Sequence, residues 1–158
     1  MLFVIGFLIV VCDVITKILA LNMMKPIDTL PLWEGVFHLT YVENRGAAFG
    51  IFQYGRWFFI ILTVLVLIGV FYMMRRYGGR SKTFDTATTF LIAGAVGNLI
   101  DRIFRGFVVD FFDFRLINFP VFNVADIFVC IGAGLLVLCI IISDESNRSK
   151  KDCEEDEI

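Results

Sequence analysis

The sequence predicts an all-α membrane protein with four transmembrane helices and a small β element in the first extracytoplasmic connection. Hydrophobic residues make up 58% of the 158 residues and charged residues only 19%, whereas a soluble domain usually has about 45–50% apolar and about 25% charged residues. No charged residue occurs in the long stretches 1–12, 57–74, 86–100 and 127–142. Because a bilayer span needs roughly 20 mostly apolar residues, these stretches exclude an ordinary soluble domain.

We expect the spans at residues 2–21, 57–74, 83–100 and 124–142. The first apolar stretch could be mistaken for a secretory signal peptide. It lacks a basic start, however, and Asp13 and Lys17 interrupt it before any small-residue cleavage site. We therefore interpret it as a retained first span.

The basic residues predict the orientation of the chain. Four of them crowd into the short connection between the second and third spans: Arg75, Arg76, Arg80 and Lys82. The positive-inside rule places this connection in the cytoplasm, so both termini are cytoplasmic and the two longer connections face outward. Residues 143–158 carry seven acidic and three basic residues and are predicted to be a disordered tail after a single four-span domain, residues 1–142.

The first outer connection contains a strand pattern. Residues 36–42 alternate, with Phe37, Leu39 and Tyr41 on one side and polar residues on the other. Glycines flank the segment and indicate turns. We expect a small β element that lies on the outer membrane surface.

Several ionisable residues fall where the bilayer makes them costly, at about 2.5–3.5 kcal/mol each. Asp13 and Lys17 are four residues apart on one face of the first span, which predicts a structural ion pair. Asn98 and Asp101 are three residues apart near the end of the third span, so both should contact the same neighbour. Asp101 can also pair with Arg105, four residues later. The spacing of this second group leaves structural and functional roles open.

Two carboxylates embedded in apolar sequence point to chemistry. Asp110 lies between the third and fourth spans, and Asp126 stands sixteen residues later, at the start of the fourth span. Asn123 is a plausible N-cap there, so Asp126 taken alone is explained as a capping residue. Both carboxylates, however, should lie at the outer ends of the adjacent third and fourth spans. Two nearby carboxylates share one proton, and such a pair can activate water and polarise a carbonyl, as in an aspartic peptidase.

Elimination favours the carboxylates. The only histidine is His38, and no H-E-x-x-H motif is present, which argues against a zinc peptidase. The four serines lie at or beyond the cytoplasmic ends of the spans, and the outer connections contain no cysteine. No phosphate-binding glycine loop and no basic stripe with aromatic residues occurs, so we expect no nucleic-acid partner, no metal and no cofactor.

Five motifs together resemble the lipoprotein signal peptidase family, also called signal peptidase II. In chain order they are D-V-I-T-K (13–17), N-R-G-A-A-F-G (44–50), G-N-L-I-D-R (97–102), V-V-D-F (108–111) and F-N-V-A-D (122–126). Each motif alone is weak, but the set covers nearly the whole chain outside the acidic tail. The resemblance therefore implies a bacterial inner-membrane aspartic endopeptidase with its active site near the outer surface.

The resemblance also implies a substrate and a set of site residues. Members of the family cut prolipoproteins just before a cysteine that already carries a diacylglyceryl group. Matched motif by motif, Asp110 and Asp126 are the catalytic dyad, and residues 35–52 match the family's β-cradle. Asp113 has no catalytic counterpart. The remaining matches are the site-lining residues Asn44, Asn98, Arg102 and Asn123, the supporting acid Asp101, and the structural pair Asp13 and Lys17. We expect a monomer whose partners are lipid-modified prolipoproteins and membrane phospholipid.

Two other functions compete with this interpretation on the residues alone. A small proton-coupled transporter or channel subunit would use the buried acids as a relay. Its ionisable residues should be spread through the membrane depth, whereas the cytoplasmic halves of the last three spans are nearly free of charge. A non-catalytic scaffold would tolerate loss of Asp110 and Asp126.

Overall fold

A computed structural model describes residues 1–46, 55–79 and 81–155, with side chains described as far as Ile142. Arg80, residues 47–52 of the predicted cradle and residues 156–158 lie outside the described residues. Four long helices run α1 Leu2–Met23, α2 Arg56–Tyr77, α3 Lys82–Phe104 and α4 Val124–Glu155. Each contains a segment long and apolar enough to cross a membrane, which confirms the four predicted spans.

The helices extend past the predicted spans because helical hydrogen bonding does not stop at a charged residue. The last turn of α2 includes Arg75 and Arg76, and α3 continues through Asp101 and Arg102 to Phe104. Helical backbone of α4 also reaches Glu155, inside the acidic segment. The division into a membrane domain and a disordered cytoplasmic tail stays a prediction.

Helix α3 is central, because it contacts each of the other three helices. Two glycines let its backbone approach its neighbours closely. A Cβ atom at Gly94 would lie 2.4 Å from the carbonyl oxygen of Ala125 in α4, and one at Gly97 would lie 2.5 Å from Oδ2 of Asp13 in α1. Exposed apolar side chains cover much of α1, α2 and α4, as expected for helices that face lipid.

A three-stranded antiparallel sheet lies at one end of the helices, in the order β1 (Thr29–Trp33), β2 (Phe37–Asn44) and β3 (Val108–Phe114). Strand β2 confirms the predicted β element. The sheet is larger than predicted, because β3 comes from the connection between α3 and α4. Proline at position 31 is compatible with β1 because β1 is an edge strand.

The sheet is anchored to the first helix. Val109 and Phe111 of β3 form a buried apolar cluster with Ala20 and Met24, at the end of α1. This packing brings Asp110, between the two apolar anchors, to the end of the bundle where α3 ends and α4 begins.

Candidate active site

The carboxyl group of Asp110, a residue of β3, accepts hydrogen bonds from two side-chain amides. Asp110 is 2% exposed. Its Oδ2 accepts a hydrogen bond from Nδ2 of Asn44 at 2.9 Å, and its Oδ1 accepts one from Nδ2 of Asn123 at 2.6 Å. Asn44 is the last residue of β2, and Asn123 directly precedes α4, so three separate segments meet at this carboxyl group.

Asp126 is held in the first turn of α4 by a reciprocal capping arrangement. The side-chain oxygen of Asn123 accepts from the backbone N–H of Asp126 at 3.0 Å, and Oδ2 of Asp126 accepts from the backbone N–H of Asn123 at 3.2 Å. This is a capping box, with Asn123 at the N-cap as predicted. The second carboxylate oxygen, Oδ1, accepts from Nδ2 of Asn98 at 2.7 Å. Asp126 is half-buried, unlike the fully buried Asp110.

A single side chain therefore connects the two carboxylates. The amide nitrogen of Asn123 donates to Asp110, while its amide oxygen accepts from the backbone of Asp126. The same nitrogen lies 3.2 Å from Oδ1 of Asn98 and 3.4 Å from the carbonyl oxygen of Val109. The predicted convergence of Asp110 and Asp126 is thus present.

The pKa of Asp110 is raised to about 7. Burial is the main cause, because it disfavours the charged form, and the negative charge of Asp126 adds to it. Hydrogen bonds from Asn44 and Asn123 oppose the rise, since they stabilise the ionised form. Asp110 can therefore keep a proton near neutral pH, which a carboxyl group needs if it is to act as a general acid.

The predicted ion pair of Asp13 and Lys17 is connected to Asp126 through the side chain of Asn98. Lys17 is fully buried and forms ion pairs with Asp13 at 2.8 Å and with Asp101 at 3.6 Å. It also donates to Oδ1 of Asn98 at 2.8 Å. Asn98 and Asp101 therefore share a neighbour, as their spacing predicts, and that neighbour is Lys17. Asp101 also forms the predicted ion pair with Arg105.

Asp13 and Asp101 also fix the backbone next to Asp126 and Asp110. Oδ1 of Asp13 accepts from the N–H of Ala125, in the first turn of α4, at 2.8 Å. Oδ2 of Asp101 accepts from the N–H of Val109, next to Asp110, at 3.0 Å. Sequence reasoning missed both contacts. The free N–H groups of the first turn of α4 need acceptors and were the available clue to the first.

Arg102 and Asp113 have different surroundings. The guanidinium of Arg102 lies over the ring of Phe59, 5.2 Å from its centroid, and its charge interacts with Asp126 and Asp110. Asp113 instead accepts from Thr40 at 2.7 Å and from Arg115 at 2.9 Å. Burial raises the pKa of Asp113, but these hydrogen bonds outweigh it and hold the pKa below its usual value. Asp113 thus belongs to a separate group on the sheet.

The described part of the chain contains no group of three or more His, Cys, Asp or Glu side chains that could hold a metal ion. The site brings together two carboxyl groups, the amides that contact them and the guanidinium of Arg102. Acid–base chemistry on a bound water is what such a pair can perform.

Comparison with known proteins agrees with the motifs. The family model described as signal peptidase (SPase) II matches residues 5–142. Proteins named lipoprotein signal peptidase are similar over most of their length: the Brevibacillus brevis protein is 45% identical, covering 92% of this chain and 98% of its own. The Clostridioides difficile protein is 44% identical, covering 89% and 95%. A solved structure described as a bacterial membrane enzyme has a TM-score of 0.85 at 34% identity, covering 92% of this chain and 90% of its own.

These matches confirm the resemblance and favour the peptidase over the transporter and scaffold interpretations. The match of the family model covers all four membrane spans and both carboxylates. The relatives are bacterial proteins. The chain therefore belongs to the signal peptidase (SPase) II family of aspartic peptidases and is a multi-pass membrane protein of bacterial origin.

Proposed function

We propose that the chain removes signal peptides from prolipoproteins by cutting just before a cysteine that carries a diacylglyceryl group, with Asp110 and Asp126 as its catalytic dyad. The observation that carries this proposal is the Asn123 side chain, which contacts Asp110 with one end and the backbone of Asp126 with the other. In a family of aspartic peptidases, a buried and a half-buried carboxyl group linked in this way are the natural candidates for the dyad.

The surroundings of the two carboxyl groups suggest how they divide the reaction. Asp126, which is half-buried, takes a proton from a water molecule, and the water oxygen attacks the scissile carbonyl carbon. Asp110 holds a proton and donates a hydrogen bond to the carbonyl oxygen. When the tetrahedral intermediate collapses, the C–N bond breaks and the leaving amine receives a proton from the dyad. The products are a free carboxylate on the signal peptide and a free amine on the lipidated cysteine.

The remaining predicted residues hold this arrangement or line the path of the substrate. Asn44 orients Asp110, Asn98 orients Asp126, and Asp101 supports the start of β3. Arg102 is partly exposed and close to both carboxylates, so it can contact the substrate backbone. We assign these four residues, with Asn123, to the same site.

We further propose that the dyad lies near the outer surface of the inner membrane. Asp110 and Asp126 occupy the end of the bundle where α3 ends and α4 begins, whereas Arg75 and Arg76 are in the last turn of α2, at the opposite end. By the positive-inside rule the arginine end is cytoplasmic, and so are both termini. A lipid-anchored substrate presents its cleavage site at the headgroup boundary, which is the depth of this dyad. Function as a monomer stays a prediction.

The proposal is tested with purified protein in lipid nanodiscs and two substrates that differ only in the diacylglyceryl group. Mass spectrometry of the products identifies the bond that is cut. We expect cleavage of the lipidated substrate immediately before the modified cysteine, and a rate at least about 100-fold lower for the unlipidated one, because the lipid holds the peptide at the membrane surface.

Two results would contradict the proposal. Equal cleavage of both substrates would show that the lipid is not recognised. Cleavage at another bond would show that the dyad does not act on the peptide bond just before the modified cysteine. An unrelated membrane-anchored peptide of equal length serves as the matched control and should remain uncut.

A further inference from the structure

Three arginines surround a cavity that the proposed reaction does not use. The cavity has a volume of about 280 Å³ and is lined by Arg45, Arg56, Arg105 and Gly106. It lies where α2 begins and α3 ends, at the same end of the bundle as Asp110 and Asp126. The positive charges of three arginines that line one space repel one another unless an anion balances them.

The neighbouring acids do not balance this charge fully. Glu43 pairs with Arg45 at 3.0 Å, but it also pairs with Lys25 at 3.0 Å. Asp101 pairs with Arg105 and lies 3.6 Å from Lys17, whose nearer partner is Asp13 at 2.8 Å. Glu43 is therefore divided between two cations and Arg56 has no acid in the described ion pairs, so the lining of the cavity keeps a net positive charge.

Arg56 is the arginine most available to a ligand. It forms no ion pair with any residue that the structure describes. Its Nη2 donates to the carbonyl oxygen of Ile103 at 2.7 Å, which fixes the guanidinium. Its Nε is buried and has no hydrogen-bond partner among the described residues. A fixed guanidinium whose charge no described acid pairs is suited to a phosphate oxygen.

The backbone around Arg56 favours the same ligand. Arg56 is the first residue of α2, and its N-cap, Gly55, provides no side-chain hydrogen bond to the helix. The N–H groups of the first turn and the helix dipole at this end attract an anion. Gly106 has a φ of +84°, a backbone conformation that favours glycine, and a Cβ there would lie in ordinary contact with Nη1 of Arg56, at 3.5 Å.

The surface beside the cavity is apolar. Trp57 is 69% exposed, Phe104 is 81% exposed, and Phe58 follows on the same helix as Trp57. An exposed tryptophan at the end of a membrane span is typical of the headgroup region. A ligand with a phosphate in the cavity can therefore place acyl chains along this surface. The diacylglyceryl group of the proposed substrate is uncharged and gives no reason for three arginines.

We propose that this cavity binds the phosphate of an anionic phospholipid, with the guanidinium groups of Arg45, Arg56 and Arg105 around the headgroup and the acyl chains along Trp57. The shared chemistry is a phosphate ester, and the adjoining apolar surface selects the lipid over a soluble phosphate. The site is separate from the catalytic dyad and does not depend on the cleavage specificity proposed above.

The site can be tested by fluorescence quenching because the chain has two tryptophans, Trp33 and Trp57. A Trp33→Phe protein keeps Trp57 as its only tryptophan. It is reconstituted in mixtures of phosphatidylglycerol and phosphatidylcholine in which one lipid carries brominated chains, and each signal is normalised to the unbrominated mixture. We expect phosphatidylglycerol to be preferred at Trp57 and Arg56→Gln to reduce this preference about fivefold.

Two further variants test whether the lipid preference depends on the charge at position 56 or on a change in the fold. Arg56→Lys keeps the charge and should keep most of the preference, whereas Arg75→Gln, at the opposite end of α2, should leave it unchanged. Equal quenching by the two lipids in the Trp33→Phe protein would overturn the proposal. A preference that survives Arg56→Gln would do the same.

A soluble ligand is the alternative outcome. Glycerol 3-phosphate is titrated into detergent-solubilised protein by calorimetry, with Arg56→Gln as the control. Binding that requires Arg56, together with no lipid preference in bilayers, would overturn the lipid assignment in favour of a soluble phosphate.

Discussion

The ammonium group of Lys17 donates a hydrogen bond to Oδ1 of Asn98, with 2.8 Å between the two atoms. Because an ammonium can only donate, the oxygen of the Asn98 amide must face Lys17, and its nitrogen must face the other way. That nitrogen donates to Oδ1 of Asp126 at 2.7 Å. The buried ion pair of α1 therefore determines which group Asp126 meets, and its role extends beyond stability.

Replacing Lys17 should reduce both stability and catalysis. Lys17→Met leaves Asp13 and Asp101 without their shared cation in a buried setting, and breaking a buried ion pair in this way costs about 3–5 kcal/mol. The Asn98 amide also loses the contact that orients it. We expect a lower thermal unfolding temperature and a kcat reduced at least about tenfold, measured in the same nanodisc preparation.

The double variant Asp13→Asn with Lys17→Met separates the two effects. It removes one negative charge together with the positive one, so the stability should recover in part. The orientation of Asn98 is not restored, and kcat should stay low while KM changes little. If kcat recovers together with stability, Lys17 acts only through the fold.

The close contact of α3 with α4 at Gly94 should be essential for cleavage. An added Cβ would meet the carbonyl oxygen of Ala125 at 2.4 Å and Cγ2 of Val129 at 2.7 Å, so Gly94→Ala must push the first turn of α4 away. Overpacking of this kind costs about 1–3 kcal/mol. We expect a cleavage rate at least about tenfold lower, because Asp126 moves with that turn. Gly134→Ala is the matched control on α4, since nothing lies within 4 Å of its added Cβ; a similar loss there would refute the packing argument.

The pH dependence of cleavage should report the proton on Asp110. Its pKa of about 7 means that the proton is lost as the pH rises through neutrality, so kcat/KM should fall above about pH 7. Asn44 stabilises the ionised form, and a hydrogen bond to a charged group contributes about 1.5–3 kcal/mol. Asn44→Ala should therefore raise the pH at which kcat/KM falls by roughly one unit. Thr40→Val on the same strand should leave this pH unchanged, and a downward shift in Asn44→Ala would contradict the assigned direction.

The contribution of Asp113 to the stability of the fold should decrease at low pH. Its pKa is lowered in the folded state, so its contribution is present above the pKa of the unfolded chain and is lost as the pH falls through the folded value. Because Arg115 is 42% exposed, we expect Asp113→Asn to lower the free energy of unfolding by only about 0.5–1 kcal/mol at pH 7. The difference from wild type should shrink as the pH falls below the unfolded-state pKa of about 3.9 and through the lower folded-state pKa. A difference that stays constant over this whole range would exclude an effect of the charge.

The features that depend on near neighbours in the chain could be predicted from the sequence. An apolar run is enough to predict a span, and the Asn123 capping box joins residues only three apart. The Asp13–Lys17 and Asp101–Arg105 pairs follow from helical spacing of four. Asp110 and Asp126 required the additional inference that two outer span ends meet.

The features that depend on distant contacts could not be predicted. Asp13 caps the N–H of Ala125, 112 residues away. Strand β3 pairs with β2 across a register that places Val42 opposite Asp110, and neither strand's pattern reveals its partner. Helix α3 also continues beyond residue 100, the predicted end of the third span, and there the buried Asp101 pairs with Lys17 from another helix.

The central claim is that Asp110 and Asp126 act together on the scissile bond. Its most direct test is the single-turnover cleavage rate of lipidated substrate by Asp110→Asn and Asp126→Asn, with Asp113→Asn as a matched acidic control on the same strand as Asp110. Thermal unfolding confirms that each variant is folded. The account predicts that each dyad variant loses at least about 1,000-fold, while Asp113→Asn stays within about threefold of wild type, as its separate hydrogen-bond partners on the sheet imply. A folded Asp110→Asn or Asp126→Asn protein that cleaves at the wild-type rate would contradict it.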